Sequence, residues 1–163
     1  MTTRPARTTD VDAVARIYNE GIDDRIATFE TESRTAQDIV TWLEEDLPLV
    51  VVESDGKVVA WAVAHRYRER EAYAGVGEFS VYVARDARGR GFGRAAVQRL
   101  IDECERRGLW KLVSRVFPEN EASLALCRSL GFREVGIYRR HGKLDGEWRD
   151  VVIVERLLGS ASS

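Results

Sequence analysis

Ser80-Val81-Tyr82-Val83 runs within a few residues into Arg88-Gly89-Arg90-Gly91-Phe92-Gly93-Arg94. This stretch reads as a strand entering a glycine-rich turn that opens a helix. Glycines at alternate positions leave backbone N–H groups uncovered, and the following helix aims the positive end of its dipole at the same place. Such a turn binds phosphate groups. Two phosphate motifs fail on spacing. A dinucleotide fingerprint requires a third glycine where Arg94 stands, and a Walker loop requires Gly-Lys-Ser/Thr, which is absent. The pattern that fits is R-x-x-G-x-G, from Arg88 to Gly93.

On the N-terminal side, Thr9 with Asp12 has capping-box spacing, and Val14, Ile17, Tyr18 and Ile22 recur at helical intervals, predicting a helix over about 10–23. Thr35 with Asp38 starts a second helix, whose apolar face carries Ile39, Trp42 and Leu43. Leu49–Val52 and Val58–Ala64 flank Ser54-Asp55-Gly56-Lys57, an antiparallel hairpin. Gly77–Val83 is the strand before the turn. After the turn, Ala96, Leu100, Ile101 and Cys104 share one helical face, and Gly108 stops that helix. A strand at Lys111–Val116, a helix at Asn120–Leu130 closed by Gly131, and strands near Val135–Tyr138 and Asp150–Glu155 follow. The order β-α-α-β-β-β-α-β-α-β-β predicts an α/β (mixed α+β) fold, a mostly antiparallel mixed sheet flanked by helices. One domain over 1–158 and a frayed tail at 159–163 are expected.

The chain has 163 residues, 44% hydrophobic and 32% charged, with a net charge of −2 and a pI near 5.8. That balance gives no footprint for bulk nucleic-acid binding, although arginines are dense at 85–94, 106–107 and 139–140. Cys104 and Cys127 lack CxxC spacing, and His65 and His141 lie far apart with no ligand spacing around them, so neither a disulfide framework nor a metal site is expected. No apolar run of spanning length or export signal is read, and a cytoplasmic protein without membrane partners is expected.

The order of elements, with Arg88-x-x-Gly91-x-Gly93 after the central strand and Asn120-x-x-Ser123 opening a helix that ends Leu130-Gly131-Phe132, resembles the GNAT acetyltransferase superfamily. Within it the chain is similar to the phosphinothricin, methionine sulfoximine and arsinothricin N-acetyltransferases. Ile17-Tyr18-Asn19, Thr28-Phe29-Glu30-Thr31, Tyr67-Arg68, Ala72-Tyr73, Glu78–Val83 and Trp148-Arg149-Asp150-Val151 carry that narrower likeness. The resemblance implies a GNAT-like sheet splayed at an acetyl-CoA site. The pyrophosphate would lie on Arg88, Gly89, Arg90, Gly91, Phe92, Gly93 and Arg94, and the pantetheine arm would pair with the backbone across Val81, Tyr82 and Val83. Asn120 would bond near a pantetheine amide with Ser123 beside it, and the Val81 N–H would face the developing oxyanion. A homodimer touching through the C-terminal strands or the 25–35 loop is implied as well.

Transfer to an amine requires a base for the ammonium proton. Glu78, three residues before Val81, matches the glutamate assigned as base in the resembling family; the alternative is a solvated strand carboxylate. Cys127 stands where the family has a tyrosine or histidine that protonates the leaving thiolate, and the alternative is a small buried core residue. For an amino-acid-like acceptor, Arg68 and Arg70 are candidate oxyanion contacts near Tyr73, on one strand face if the strand extends that far. Phe29 and Trp148 are candidate aromatic walls. Ala74, Val76 and Phe79 stand where the relatives commonly have arginine, threonine and a polar residue, implying a less polar pocket. The preferred reading is an acetyl-CoA-dependent N-acetyltransferase on a small amino-acid-like amine. A protein N-terminal acetyltransferase and a noncatalytic acetyl-CoA sensor are its alternatives.

Overall fold

Asp55 and Gly56, with φ of 52° and 76°, fold Leu49–Ser54 (β2) back onto Lys57–Arg66 (β3). Two consecutive left-handed residues match the right-handed twist of paired strands, which is why Asp-Gly marks such turns. This hairpin seeds a seven-stranded sheet in the computed structural model of the chain, which describes residues 1–162. Thr2–Pro5 (β1) pairs with β2, and Val76–Val83 (β4) pairs antiparallel with β3. Lys111–Val116 (β5) joins β4 in parallel, and Arg133–Leu144 (β6) with Glu147–Leu157 (β7) completes the order β1-β2-β3-β4-β5-β7-β6.

Helices cover both faces. Val11–Asp24 (α1) and Ala36–Glu44 (α2) lie on one, where Tyr18 and Trp42 pack on Trp61 of β3, and Tyr18 also packs on Tyr82 of β4. Phe92–Arg106 (α3) packs on the other through Ala96, Val97, Leu100, Ile101 and Cys104, all fully buried. Glu121–Ser129 (α4) follows β5. The expected capping box at Thr35 and Asp38 is present, with each residue's side chain accepting from the other's backbone N–H.

Four details differ from the expectations. Thr9 and Asp12 form no capping box: Thr8–Asp10 is a 3-10 turn, and the buried Asp10 carboxylate accepts from the Arg7 N–H (2.7 Å) and from Arg4 (2.7 Å). The last two strands are far longer than their apolar cores, because Asp145 and Gly146, φ 51° and 82°, make a second tight hairpin. β3 stops at Arg66, so positions 68 and 70 share no strand face; they lie in the loop that leads to the 3-10 turn Glu71–Tyr73. Gly159–Ser162 is a 3-10 turn whose Gly159 N–H donates to Glu105 (3.0 Å), and Ser163 lies outside the described residues.

Candidate active site

β4 and β5 pair only from Val76 to Glu78 against Lys111 to Val113, and beyond that the strands part. At the fork the buried Ser114 hydroxyl of β5 donates to the carbonyl of Phe79 (2.8 Å), the residue just past the last β4–β5 pair. Peptide groups alternate direction along a strand. Those of Val81 and Val83 therefore face the gap as Phe79 does, while Ala84 donates to Val59 of β3 (2.8 Å). The opened edge offers main-chain donors and acceptors to an extended, amide-bearing ligand.

A groove of about 360 Å³ runs from this edge to the glycine turn, lined by Val81, Val83, Gly89, Gly91, Asn120 and Ser123 among others. Gly89 and Gly91 have φ of 78° and 86°, a conformation that side chains with a Cβ resist. Gly91 is also the N-cap of α3, so the first N–H groups of the helix open on the groove. Gly93 is tight for a different reason: a Cβ there would lie 3.2 Å from Val83 Cγ2 and 3.1 Å from Leu126 Cδ1, so those side chains would have to shift. The arginines are tethered. Arg88 donates to Asp24 (2.7 Å) and to the Val83 carbonyl (3.3 Å), Arg94 donates to Ser129 (3.2 Å), and Arg90 lies over the Phe92 ring (5.0 Å). Asp24 also accepts from Arg85 (2.9 Å); that hydrogen bond, with Arg88, holds its carboxyl below the ordinary range and ties the end of α1 to the turn. Asn120 caps α4, its Oδ1 accepting from the Ser123 N–H (3.2 Å).

Strand alternation puts Glu78, Ser80 and Tyr82 on the α1 side of the sheet. They line a second cavity of about 280 Å³ with Tyr18, Thr28, Phe29, Glu30 and Phe117. Phe29 meets Phe117 edge-on (4.9 Å) and sits where a Cβ on Gly142 would be 2.9 Å from its ring. Glu30 pairs with Arg34 (2.7 Å), and Glu78 pairs with Arg115 (3.2 Å). Beyond Glu78 a further cavity of about 330 Å³ is lined by Tyr67, Arg68, Tyr138 and His141, with the Arg68 guanidinium over the Tyr67 ring (4.3 Å).

The structure brings Glu78, Phe29 and the groove residues to one place, with Arg68 at its outer edge. It does not bring Arg70, Tyr73 or Trp148 there. Arg70 is exposed on the loop after β3, Tyr73 packs edge-on against Tyr67 (5.9 Å), and Trp148 stands near the β6–β7 turn under Lys143 (4.5 Å); none lines these cavities. Phe79 turns its ring away from Glu78 onto Phe132 (5.1 Å). Cys127 is buried at the fork beside Val81, Asn120 and Ser123, and burial pushes its thiol up to about 11. Sequence reasoning missed Arg115, Ser114 and Phe117. Arg115 had no signal in the sequence: it is an exposed arginine in the alternating strand Lys111–Val116, a placement ordinary for a solvated charge.

The splayed sheet, the glycine turn at a helix N-terminus and the carboxylate beside a cavity define the class, an acyl-transfer enzyme. The sequence model described as the acetyltransferase (GNAT) family matches residues 14–132, and the chain belongs to that family and is an N-acetyltransferase. It is 37% identical to the phosphinothricin N-acetyltransferase of Alcaligenes faecalis, over 99% of this chain and 85% of that one. Among solved structures it is similar to the acetyltransferase yncA of Salmonella typhimurium with its cofactor acetyl-CoA: TM-score 0.94, 29% identity, over 100% of this chain and 96% of that one. It is also similar to a ribosomal-protein-alanine N-acetyltransferase from Brucella melitensis: TM-score 0.92, 33% identity, over 97% of this chain and 100% of that one.

Proposed function

We propose that the protein transfers the acetyl group of acetyl-CoA directly to the amino group of a small amino-acid-like acceptor, such as phosphinothricin, methionine sulfoximine or a related analogue. The observation that carries this reading is the placement of Glu78. Its carboxylate lines the second cavity, three residues along β4 from Val81, whose free peptide group lines the groove.

The groove fits the cofactor chemically. Uncovered N–H groups at Gly89–Gly93 and the start of α3 suit a pyrophosphate, and the Val81 and Val83 peptide groups suit the amides of a pantetheine arm. When bound, acetyl-CoA supplies an activated thioester. The protein's part is to place the acceptor nitrogen over the fork, take its proton on Glu78, and present the Val81 N–H to the negative charge that develops on the carbonyl oxygen. Asn120 and Ser123 flank the arm. Phe29 and Phe117 wall the acceptor cavity, and Arg68 faces its outer end. Cys127 stays protonated and fills the space at the thioester end, with the thiolate taking its proton from water. A buried thiol near 11 is a poorer acid than an ordinary thiol near about 8.5.

We also infer self-association through the β6–β7 arm, where Val135, Ile137, Tyr138 and Trp148 are 46–59% exposed. No helix among the described residues is long and apolar enough to cross a membrane.

Acetylation of a peptide N-terminus is the second reading, favoured by the likeness to the ribosomal-protein-alanine N-acetyltransferase of Brucella melitensis. Thiol release from acetyl-CoA, followed with phosphinothricin, methionine sulfoximine, other amino acids and an alanine-terminated peptide, separates the two. Selective release with the amino-acid analogues supports the first reading, and release with the peptide alone supports the second. Acetyl-CoA binding without turnover of any amine overturns both.

A further inference from the structure

One guanidinium borders three spaces at the fork, though not the glycine-turn groove, and has no part in the steps above. Arg115 of β5 lines the thioester end, the acceptor cavity and the outer cavity, and its Nε stands 3.2 Å from Glu78 Oε2. The two side chains are 44% and 30% exposed, and an ion pair that open to water adds little to folding. Stability therefore does not explain an arginine at this place. The cavity's charge does. Among the described residues that line it, Arg115 is the single cation against two carboxylates, Glu30 and Glu78, and Glu30 already has Arg34 (2.7 Å).

An α-amino acid carries its ammonium and its carboxylate on one carbon, and so presents the same pair of charges as Glu78 and Arg115 in reverse. We propose that Arg115 is the anchor for the acceptor's α-carboxylate, and that the Arg115–Glu78 pair of the free protein is exchanged on binding. The acceptor carboxylate takes the guanidinium, a geometry arginine makes bidentate, and the ammonium takes Glu78. One ion pair opens and two form. The base is thereby released from its arginine only when an acceptor bearing a carboxylate arrives. The ammonium proton then passes to Glu78, the nitrogen lone pair forms the bond to the acetyl carbon, the carbon–sulfur bond breaks with its electron pair leaving on the thiolate, and the second nitrogen proton is lost to water, from which the thiolate takes one. This inference rests on the acetyl-transfer reading proposed above.

The test compares the acceptor turned over fastest with the same molecule bearing a carboxamide in place of its α-carboxylate, using wild type, Arg115→Gln and Arg115→Lys. Wild type is expected to prefer the carboxylate. Arg115→Gln should lose about 10²-fold in kcat/KM on the carboxylate, the worth of a charge-assisted hydrogen-bonded pair, and much less on the carboxamide. The preference then collapses, and lysine restores part of it. Acetyl-CoA affinity by calorimetry should stay at the wild-type value in both variants. A wild-type enzyme that acetylates the acceptor, with Arg115→Gln keeping the full preference, overturns the anchor and leaves acetyl transfer standing. Loss of acetyl-CoA binding in Arg115→Gln also overturns it, because an acceptor anchor does not act on the cofactor. No turnover of any amino acid or carboxamide by wild type overturns the acetyl-transfer reading itself.

Discussion

Glu78 and Cys127 show how burial and neighbours sort two ionisable side chains a short distance apart. Glu78 borders an open cavity beside a guanidinium, where a carboxylate can take a proton and pass it to water. Glu78→Gln is expected to lower kcat by roughly 10²-fold or more while acetyl-CoA still binds, as steady-state kinetics and calorimetry on one preparation will show. Cys127 is enclosed by α4 and the fork, and its thiol at about 11 remains protonated through neutral and mildly basic pH. Cys127→Ala should therefore keep turnover within a small factor of wild type, with the same pH profile from pH 7 to 9. A loss of roughly 10²-fold would instead assign it the proton-donor role that the resemblance implied. Both residues were legible in the sequence as candidates. Their environments were not, because strand position says which face a side chain takes but not how tightly that face is closed.

The elements that make the site do so through their ends. β4 loses its parallel partner after Glu78, α3 begins at a left-handed glycine, and α4 begins at an asparagine that caps itself. Gly91→Ala forces a Cβ into φ 86° at the start of α3, a cost of about 1–2 kcal/mol. Acetyl-CoA affinity should fall about tenfold or more for such a cost, read by titration calorimetry, with acceptor KM moved less. The glycine turn was fully legible because local backbone chemistry alone dictates it. The β6–β7 hairpin was underestimated, although Asp145-Gly146 is the same turn signal that correctly placed β2 and β3 around Asp55-Gly56. Beyond Tyr138, β6 runs on through Arg139, Arg140, His141, Gly142 and Lys143, which carry no apolar alternation, so this extension is recognised only from its pairing with β7.

At the scale of the molecule, ion pairs tie the elements together and set its response to acid. Hydrogen bonds from Lys111 and then Arg133 hold the Glu155 carboxyl below its ordinary value, as Arg106 and Arg107 do for Glu103 and as Arg85 and Arg88 do for Asp24. At Asp10 burial pulls the other way, and Arg4 with the Arg7 N–H outweighs it. Carboxyls depressed on folding stabilise fully above their unfolded values of about 4, and that stability is lost as pH falls through the folded values. Thermal unfolding should accordingly be flat from about pH 7 to 5 and fall steeply below about pH 4, with Glu155→Gln flattening the acid limb. The exposed face of the β6–β7 arm makes a separate prediction. Light scattering behind size exclusion should report a dimer for wild type and a monomer for Ile137→Lys, since a charge on an apolar contact must be desolvated on association.

The sequence by itself determined the order of elements, the glycine turn, the strand that feeds it and the carboxylate on that strand. Each depends on local geometry: helical and strand periodicity, left-handed turns, and spacing along one strand. Only the tertiary structure decided which side chains meet around that carboxylate. Arg115 arrives from a strand 37 residues further along the chain, and Arg70, Tyr73 and Trp148 were drawn away by where β3 ends and how β6 and β7 extend. Contacts between distant segments depend on where strands part and loops turn, and no periodicity within a segment encodes that.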